Sequence, residues 1–315
     1  MTKNTILENA KKAKNDEFYT RLEDIENELN RYDPKVFKDK TIFCNCDDPT
    51  RSNFWVFFHM NFNRLGLKKL IATHYNMDGS PSYTMEYSSK NPKDDIDFSK
   101  GTKIPLKGNG DFRSTECIDL LKQSDMVVSN PPFSLFRAYI TQLEQYDKQF
   151  IVIGSNIAIS YKEIFPLIKD NKLWYGFSHP RKFVTPNGMI KEVNTRWFTN
   201  VDIEKDTPKL ETIYRWRNHE EKYPDLYPKY DNYDAIEVGR TKQIPLDYDG
   251  IMGVPITFFD KFNPDQFEII GIDETVGLGY SNGVFLNDSK SKEASVKGKC
   301  KFKRIFIKNK HPEDY

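Results

Sequence analysis

Residues 124–136, Ser-Asp-Met-Val-Val-Ser-Asn-Pro-Pro-Phe-Ser-Leu-Phe, constrain the fold of this chain more than any other stretch. Met126, Val127 and Val128 form a short, continuously apolar run of the kind that parallel sheets bury on both faces. It halts at Asn130. The two prolines that follow remove two backbone donors and fix two φ angles, so the Asn130 side chain, the adjacent carbonyls and the Phe133 ring sit in a stiff loop at the strand's carboxyl end. Open α/β sheets bind ligands there. A proline-rich turn that merely ends a strand is the plainer alternative.

An amide oxygen, a bare carbonyl and an aromatic ring in one stiff loop suit a planar exocyclic amine. One amine hydrogen goes to the Asn130 side chain and the other to the Pro131 carbonyl, while the amine's ring stacks on Phe133. Both acceptors draw electron density toward nitrogen. A lone pair otherwise delocalised into the ring then becomes available to attack an electrophilic methyl group. Asn130-Pro131-Pro132-Phe133 resembles the Asn/Asp-Pro-Pro-aromatic loop of the amino-methyltransferases, which act on adenine, cytosine or a glutamine amide.

The surrounding pattern predicts a sheet to carry this loop. Strands are expected at 41–46, 68–73, near 104, at 125–128 and at 150–153, with helices at 52–62, 115–122, 135–146 and 157–169 between them. This alternation signals a doubly wound α/β sheet with helices on both faces. A helix over 6–29, interrupted at 16–20, precedes it, and 76–97 reads as a polar surface loop. Strands at 174–177 and 194–199, flanking the turn Pro186-Asn187-Gly188, are expected to close the sheet antiparallel. Beyond residue 201 the texture turns to Tyr, Pro and Asp with little periodicity. The expected division is therefore 1–200 for the catalytic domain and 201–315 for a smaller, loop-rich region with a compact segment at 253–272 and a last strand at 302–307.

Composition narrows the class. Hydrophobic residues at 38% support a sizeable core, and no apolar run approaches the roughly 18 residues of a membrane span. The opening residues lack a signal peptide's apolar core and cleavage site, so a cytoplasmic protein without a membrane partner is expected. Four cysteines give neither a disulfide framework nor zinc spacing, and the five histidines show no ligand spacing, so no metal is expected.

The loop after the first strand, Asp47-Asp48-Pro49-Thr50-Arg51-Ser52-Asn53-Phe54, lacks the usual glycines. It still offers a helix amino terminus near Ser52 and acidic side chains that accept from an ammonium or a ribose hydroxyl. Helix capping is the competing account.

Several blocks in order resemble the EcoRI-type adenine-specific DNA methyltransferase family. They are Asp16-Glu17-Phe18-Tyr19-Thr20, Cys44-Asn45-Cys46-Asp47-Asp48-Pro49 with Ser52-Asn53-Phe54, Gly110-Asp111-Phe112-Arg113-Ser114, and the Asn130 loop through Arg137. Tyr230-Asp231-Asn232-Tyr233-Asp234-Ala235-Ile236 and Gly253-Val254-Pro255-Ile256-Thr257-Phe258 complete the set. The resemblance implies a Rossmann-like S-adenosylmethionine-dependent sheet plus a carboxyl-terminal target-recognition region. It implies methyl transfer from S-adenosyl-L-methionine to N6 of an adenine flipped out of double-stranded DNA, for restriction-modification or for phage or mobile-element DNA. Phe18, Tyr19 and Thr20 would lie beside the cofactor's methionine moiety; Asp47, Asp48, Pro49 and Asn53 would replace the glycine loop; Asp111 and Phe112 would surround its adenine. Asn130, Pro131, Pro132 and Phe133 would be catalytic. The 178–195 segment departs most from the family pattern, so no recognition sequence is carried over.

With a net charge of only +1, contacts to DNA phosphates must be local. Arg181 and Lys182 in an expected hairpin, Arg215 and Arg217 around Trp216, and the run Lys297, Lys299, Lys301, Lys303, Arg304, Lys308 and Lys310 are the candidates, each with a solvated face as its alternative. Phe183 and Trp197 are candidates to sandwich the flipped base, or core residues. A cognate endonuclease would be a functional rather than physical partner, and a monomer is the expected state. Three rivals share some of this pattern: an RNA adenine methyltransferase, a protein-glutamine methyltransferase, and a DNA-binding protein without catalysis. The second would need a helical substrate domain, and about 40 residues precede the first strand.

Overall fold

The computed structural model describes residues 18–88, 101–185, 188–202, 207–286, 289 and 291–313. The expected helix before residue 18 and the turn residues Pro186 and Asn187 lie outside this set. The described residues divide into two compact units, one within Met1–Ala158 and Leu173–Ile203, the other within Ile159–Lys172 and Glu204–Tyr315.

The first unit holds β1 (Tyr19–Thr20), β2 (Thr41–Cys44), β3 (Lys69–Thr73), β4 (Tyr83–Tyr87), β5 (Thr102–Pro105), β6 (Met126–Ser129), β7 (Gln149–Ser155), β8 (Trp174–Tyr175), β9 (Lys182–Val184), β10 (Ile190–Glu192) and β11 (Thr195–Thr199). Eight of them form one sheet in the order β5-β4-β3-β2-β6-β7-β11-β8. Its centre, β3-β2-β6-β7, is parallel, and the strands outside it pair antiparallel. From β2 the chain winds outward to β3, then returns to lay β6 on β2's other side. The loops leaving β2 and β6 therefore diverge, and a crevice opens between them at the switch point.

Every residue of β2 and β6 is buried. Ile42, Cys44, Leu70, Ala72, Met126 and Val128 share one cluster with Ile25, Leu29, Phe54, Trp55, Phe57 and Phe58 from helices Leu22–Leu29 and Asn53–Met60. The alternate residues Phe43, Ile71 and Val127 face the other way, toward helices Thr115–Gln123 and Phe136–Gln145, which bury Cys117, Leu121, Tyr139 and Leu143. Each fully buried aromatic or aliphatic side chain contributes about 1.5–3 kcal/mol, so this sheet is a rigid platform.

Three expectations need correcting, and a fourth is met. Within 76–97 the chain forms β4, because Tyr83-Thr84-Met85-Glu86-Tyr87 is a period-two strand concealed by polar flanks; it pairs with β3 and β5. The strands expected at 174–177 and 194–199 do close the main sheet antiparallel, as β8 and β11, while between them β9 and β10 leave to form a three-stranded sheet with β1. The single helix over 157–169 is instead a 3-10 turn, Asn156–Ser160, and a short helix, Phe165–Lys169, whose Pro166 fits only its first turn. The last strand is Arg304–Asn309, since Arg304 belongs to the buried ladder.

In the second unit β12 (Ile236–Glu237), β13 (Ile251–Pro255) and β14 (Phe267–Ile272) precede the small pair β15 (Ser295–Val296) and β16 (Lys299–Cys300), with β17 (Arg304–Asn309) last. Four make a sheet in the order β12-β13-β17-β14, packed on Tyr230, Tyr233 and Phe306. Arg304 is buried and forms a bidentate pair with Glu237 at 2.7 and 2.9 Å, with the Tyr230 hydroxyl on the same carboxylate. That removes Arg304 from the phosphate candidates. No helix among the described residues is long and apolar enough to cross a membrane.

Candidate active site

A cleft of about 520 Å³ opens where β2 and β6 end, bordered by both post-strand loops and by Phe18 and Tyr19. On the β6 side Ser129 closes the strand, and Pro132 starts a 3-10 turn, Phe133–Leu135, that leads into helix Phe136–Gln145. Asn130 sits at the lip. Its Nδ2 donates to the Phe18 carbonyl at 2.7 Å, and since a carbonyl only accepts, this contact fixes which end of the amide is which. Oδ1 is left buried and without a partner among the described residues. An orphaned buried acceptor costs about 1–3 kcal/mol, a penalty relieved when a ligand N–H fills it. Phe133 meets the Phe18 ring at 5.8 Å, nearly parallel, and Phe183 edge-on at 6.3 Å.

On the β2 side, three donors converge on Asp47: Ser129 Oγ at 2.5 Å, Ser52 Oγ at 3.0 Å and the Asn130 amide. Ser52 also caps helix Asn53–Met60 by accepting from Phe54 N. Burial raises the Asp47 carboxyl to about 6 against the pull of its donors. A carboxyl raised from 3.8 stabilises the fold fully below pH 3.8 and loses that contribution as pH rises through about 6. Its size is about 3 kcal/mol, so the stability of Asp47→Asn relative to wild type should climb by that order between pH 4 and 7, measured by urea unfolding. A flat difference would show that Asp47 stays ionised throughout.

Asp48 accepts from Thr50 N and Oγ1 at 2.9 and 2.8 Å and from the Tyr83 hydroxyl at 3.3 Å, with His74 Nε2 4.0 Å away. His74 stacks on Tyr83 at 5.1 Å. Asn45 is buried at the end of β2; its Oδ1 accepts from the Tyr139 hydroxyl, and its Nδ2 has no partner among the described residues. Opposite, Arg113 grips both oxygens of Asp111 at 2.9 and 2.6 Å and holds its carboxyl below the usual range. Gly110, at φ +81°, brings that loop so near His74 that a Cβ would lie 2.0 Å from its carbonyl oxygen. Phe112 is buried edge-on to Tyr139 at 5.1 Å.

Of the expected site residues, Phe18, Tyr19, Asp47, Asp48, Asp111, Phe112, Asn130 and Pro132 border the cleft. Asn53 instead donates to the Thr20 carbonyl at 2.7 Å, and the Thr20 side chain is buried. Pro49, Pro131 and Phe133 are not among the bordering residues. Trp197 is fully buried, edge-on to Phe54 at 5.9 Å, which corrects its assignment as a base-stacking residue. Phe183 is equally buried but touches Phe18 and Phe133. Arg181 and Lys182 are exposed on the hairpin. Arg215 pairs with Glu313 at 2.6 Å, and Arg217 lies 3.6 Å from Asp247. Asn45, His74 and Tyr83 escaped the sequence reading; a polar residue placed directly at the end of β2 was the one available signal for Asn45.

A family profile described as adenine-specific methyltransferase EcoRI matches residues 6–310. The chain is 46% identical to the type II methyltransferase M.EcoRI of Escherichia coli, covering 98% of this chain and 97% of the relative. It is 42% identical to the type II methyltransferase M.MgeORF184P of Mycoplasma genitalium and 41% to M.MpnI of Mycoplasma pneumoniae, with 95% and 96% of this chain and 97% of each relative covered. No solved structure matches. With the Asn130 loop, the switch-point cleft and near-complete coverage in agreement, the chain belongs to the EcoRI family of adenine-specific methyltransferases.

Proposed function

We propose that this enzyme transfers a methyl group from S-adenosylmethionine to N6 of an adenine extruded from double-stranded DNA, as the modification half of a type II system. The observation that carries the reading is the orphaned Oδ1 of Asn130 at the cleft, in the loop that also carries Phe133. An exocyclic amine supplies the missing donor. The type II names of the relatives favour DNA over RNA. We assign catalysis to the first unit and target reading to the second, with the protein acting as a cytoplasmic monomer whose endonuclease partner is functional rather than physical.

The cleft suits the donor. Asp47, Asp48 and Asp78 border it against Arg51, with Asp111 already paired to Arg113, an excess of carboxylate that concentrates a cationic ligand. Bound S-adenosylmethionine supplies an electrophilic methyl. Asn45 Nδ2 offers a buried donor to it, and the Asp48 carboxylate an acceptor.

Extruding the adenine costs a few kcal/mol. Asn130 Oδ1 and the Pro131 carbonyl then take the two amine hydrogens, turning the nitrogen lone pair toward the methyl while Phe133 supports the ring. The S–CH3 bond would break as the C–N bond forms, leaving neutral S-adenosylhomocysteine, and because no side chain of this loop is a base, the proton of the methylated nitrogen would then pass to water. Holding two bound reactants in line contributes up to about 7–11 kcal/mol when the geometry is near ideal.

The test is transfer from labelled cofactor to unmethylated duplex, followed by nucleoside analysis and sequencing. N6-methyladenine at one short motif is expected. Label in folded RNA or in cytosine, with none in duplex adenine, would overturn the reading.

A further inference from the structure

The two most exposed large apolar side chains of the first unit, among its described residues, are neighbours: Met189 at 63% and Ile190 at 66%. Paired with Thr185 and Val184, they face opposite sides of the hairpin and together make its end apolar. Ile190 belongs to β10, the edge of the small sheet ordered β1-β9-β10. Tyr19, Val184 and Ile190 are direct cross-strand partners, so their side chains share a face. That face runs from Tyr19 at the cleft through half-buried Val184 to exposed Ile190. The opposite face carries Thr20 and Phe183, both buried, and Phe183 meets Phe18 and Phe133 at 6.0 and 6.3 Å.

The stripe is thereby fixed to the catalytic loop. Strands lie about 4.8 Å apart, so Ile190 stands roughly 10 Å across the sheet from Tyr19. Charge agrees with a polyanion beside it. Arg181, Lys182 and Lys191 are exposed on the hairpin, with Lys191 Nζ 4.8 Å from the Phe18 ring centroid, against one carboxylate, Glu192, across from Lys182.

An extruded base leaves an empty step in the stack and an unpaired partner base. Apolar side chains entering such a step offset a few kcal/mol of unstacking. We infer that the hairpin end enters the duplex at the step vacated by the target adenine, Ile190 from one face of the sheet and Met189 from the other, while Arg181, Lys182 and Lys191 contact the flanking phosphates. This rests on the proposed DNA reaction and adds to it the element that keeps the base out.

The test compares wild type with the Met189→Ala, Ile190→Ala double variant on two duplexes carrying the site found by sequencing. One is fully paired. The other places an abasic position opposite the target adenine, so extrusion costs less. The inference expects kcat/KM to fall about 10- to 100-fold on the paired duplex and to return to within about threefold of wild type on the abasic one. Fluorescence of 2-aminopurine at the target position should rise for wild type and stay low for the variant on the paired duplex. Both side chains are exposed, so thermal unfolding should be unchanged. Equal losses on the two duplexes, or no loss, would overturn the inference alone; so would a change from dimer to monomer in sedimentation, which would make the stripe a self-association surface. Wild type inactive on both duplexes would overturn the DNA reading and the inference with it.

Discussion

Asn130→Ala is expected to slow methyl transfer by about 10²- to 10³-fold, the loss typical of deleting one preorganised hydrogen-bonding group at a reacting centre. The substitution removes the buried Asn130 Oδ1, which has no protein partner among the described residues. It also frees the Phe18 carbonyl, which accepts from Nδ2 at 2.7 Å. The two effects separate. Losing the acceptor alone lowers single-turnover rate at saturating cofactor and leaves equilibrium cofactor binding unchanged. Loosening Phe18 would disturb Tyr19, which borders the cleft, and weaken binding as well. Asn130→Asp keeps an acceptor, loses the donor to Phe18 and adds a charge near Asp47, so a rate between the other two is expected. Residual turnover within tenfold of wild type for Asn130→Ala would refute the role.

The second large effect lies outside the cleft. Glu28, fully buried near the end of helix Leu22–Leu29, accepts from Phe177 N at 2.9 Å, Ser178 N at 2.7 Å, Ser178 Oγ at 2.6 Å and the Tyr32 hydroxyl at 3.1 Å. Gly176 makes room for it, since a Cβ there would lie 2.0 Å from Glu28 Oε1. Burial raises the carboxyl above its ordinary range even with these donors present. Glu28→Ala strands two buried amides and two hydroxyls, each worth about 1–3 kcal/mol if unsatisfied, and opens a cavity. Allowing for relaxation, a loss of about 4 kcal/mol is expected in urea unfolding. A change under 1 kcal/mol would mean that water replaces the carboxylate. Activity should fall at temperatures where the fold persists, because Glu28 ties the helix that follows β1 to the segment that leads into β9, and those strands brace Phe133 through Phe183.

How much of this was legible from residues alone depended on how locally each feature is specified. The Asn130 loop was, because an apolar run ended by two prolines admits few structures. So was the parallel core, whose strands read as continuous apolar runs. The β4 strand was not, since five alternating residues between polar flanks carry too little signal. The hairpin's partner was not either: three-residue strands such as Lys182–Val184 specify no neighbour, and β1 lies more than 160 residues away in sequence. Aromatics were the least legible. Phe183 and Trp197 look alike in sequence, yet one braces the catalytic loop and the other fills the core. Asn45 depends on a hydroxyl 94 residues away, which no local pattern reports. Asp47 borders the cleft, as its place after β2 suggested, but that Ser52, Ser129 and the Asn130 backbone amide all donate to it no local pattern reports.

That last arrangement ties two loops to one residue. Ser52 begins the helix after β2, and Ser129 and the Asn130 backbone amide begin the loop after β6, so a single buried carboxylate joins both banks of the cleft. A substitution at Asp47 therefore strands donors on both banks at once, and neither bank can be loosened there without the other.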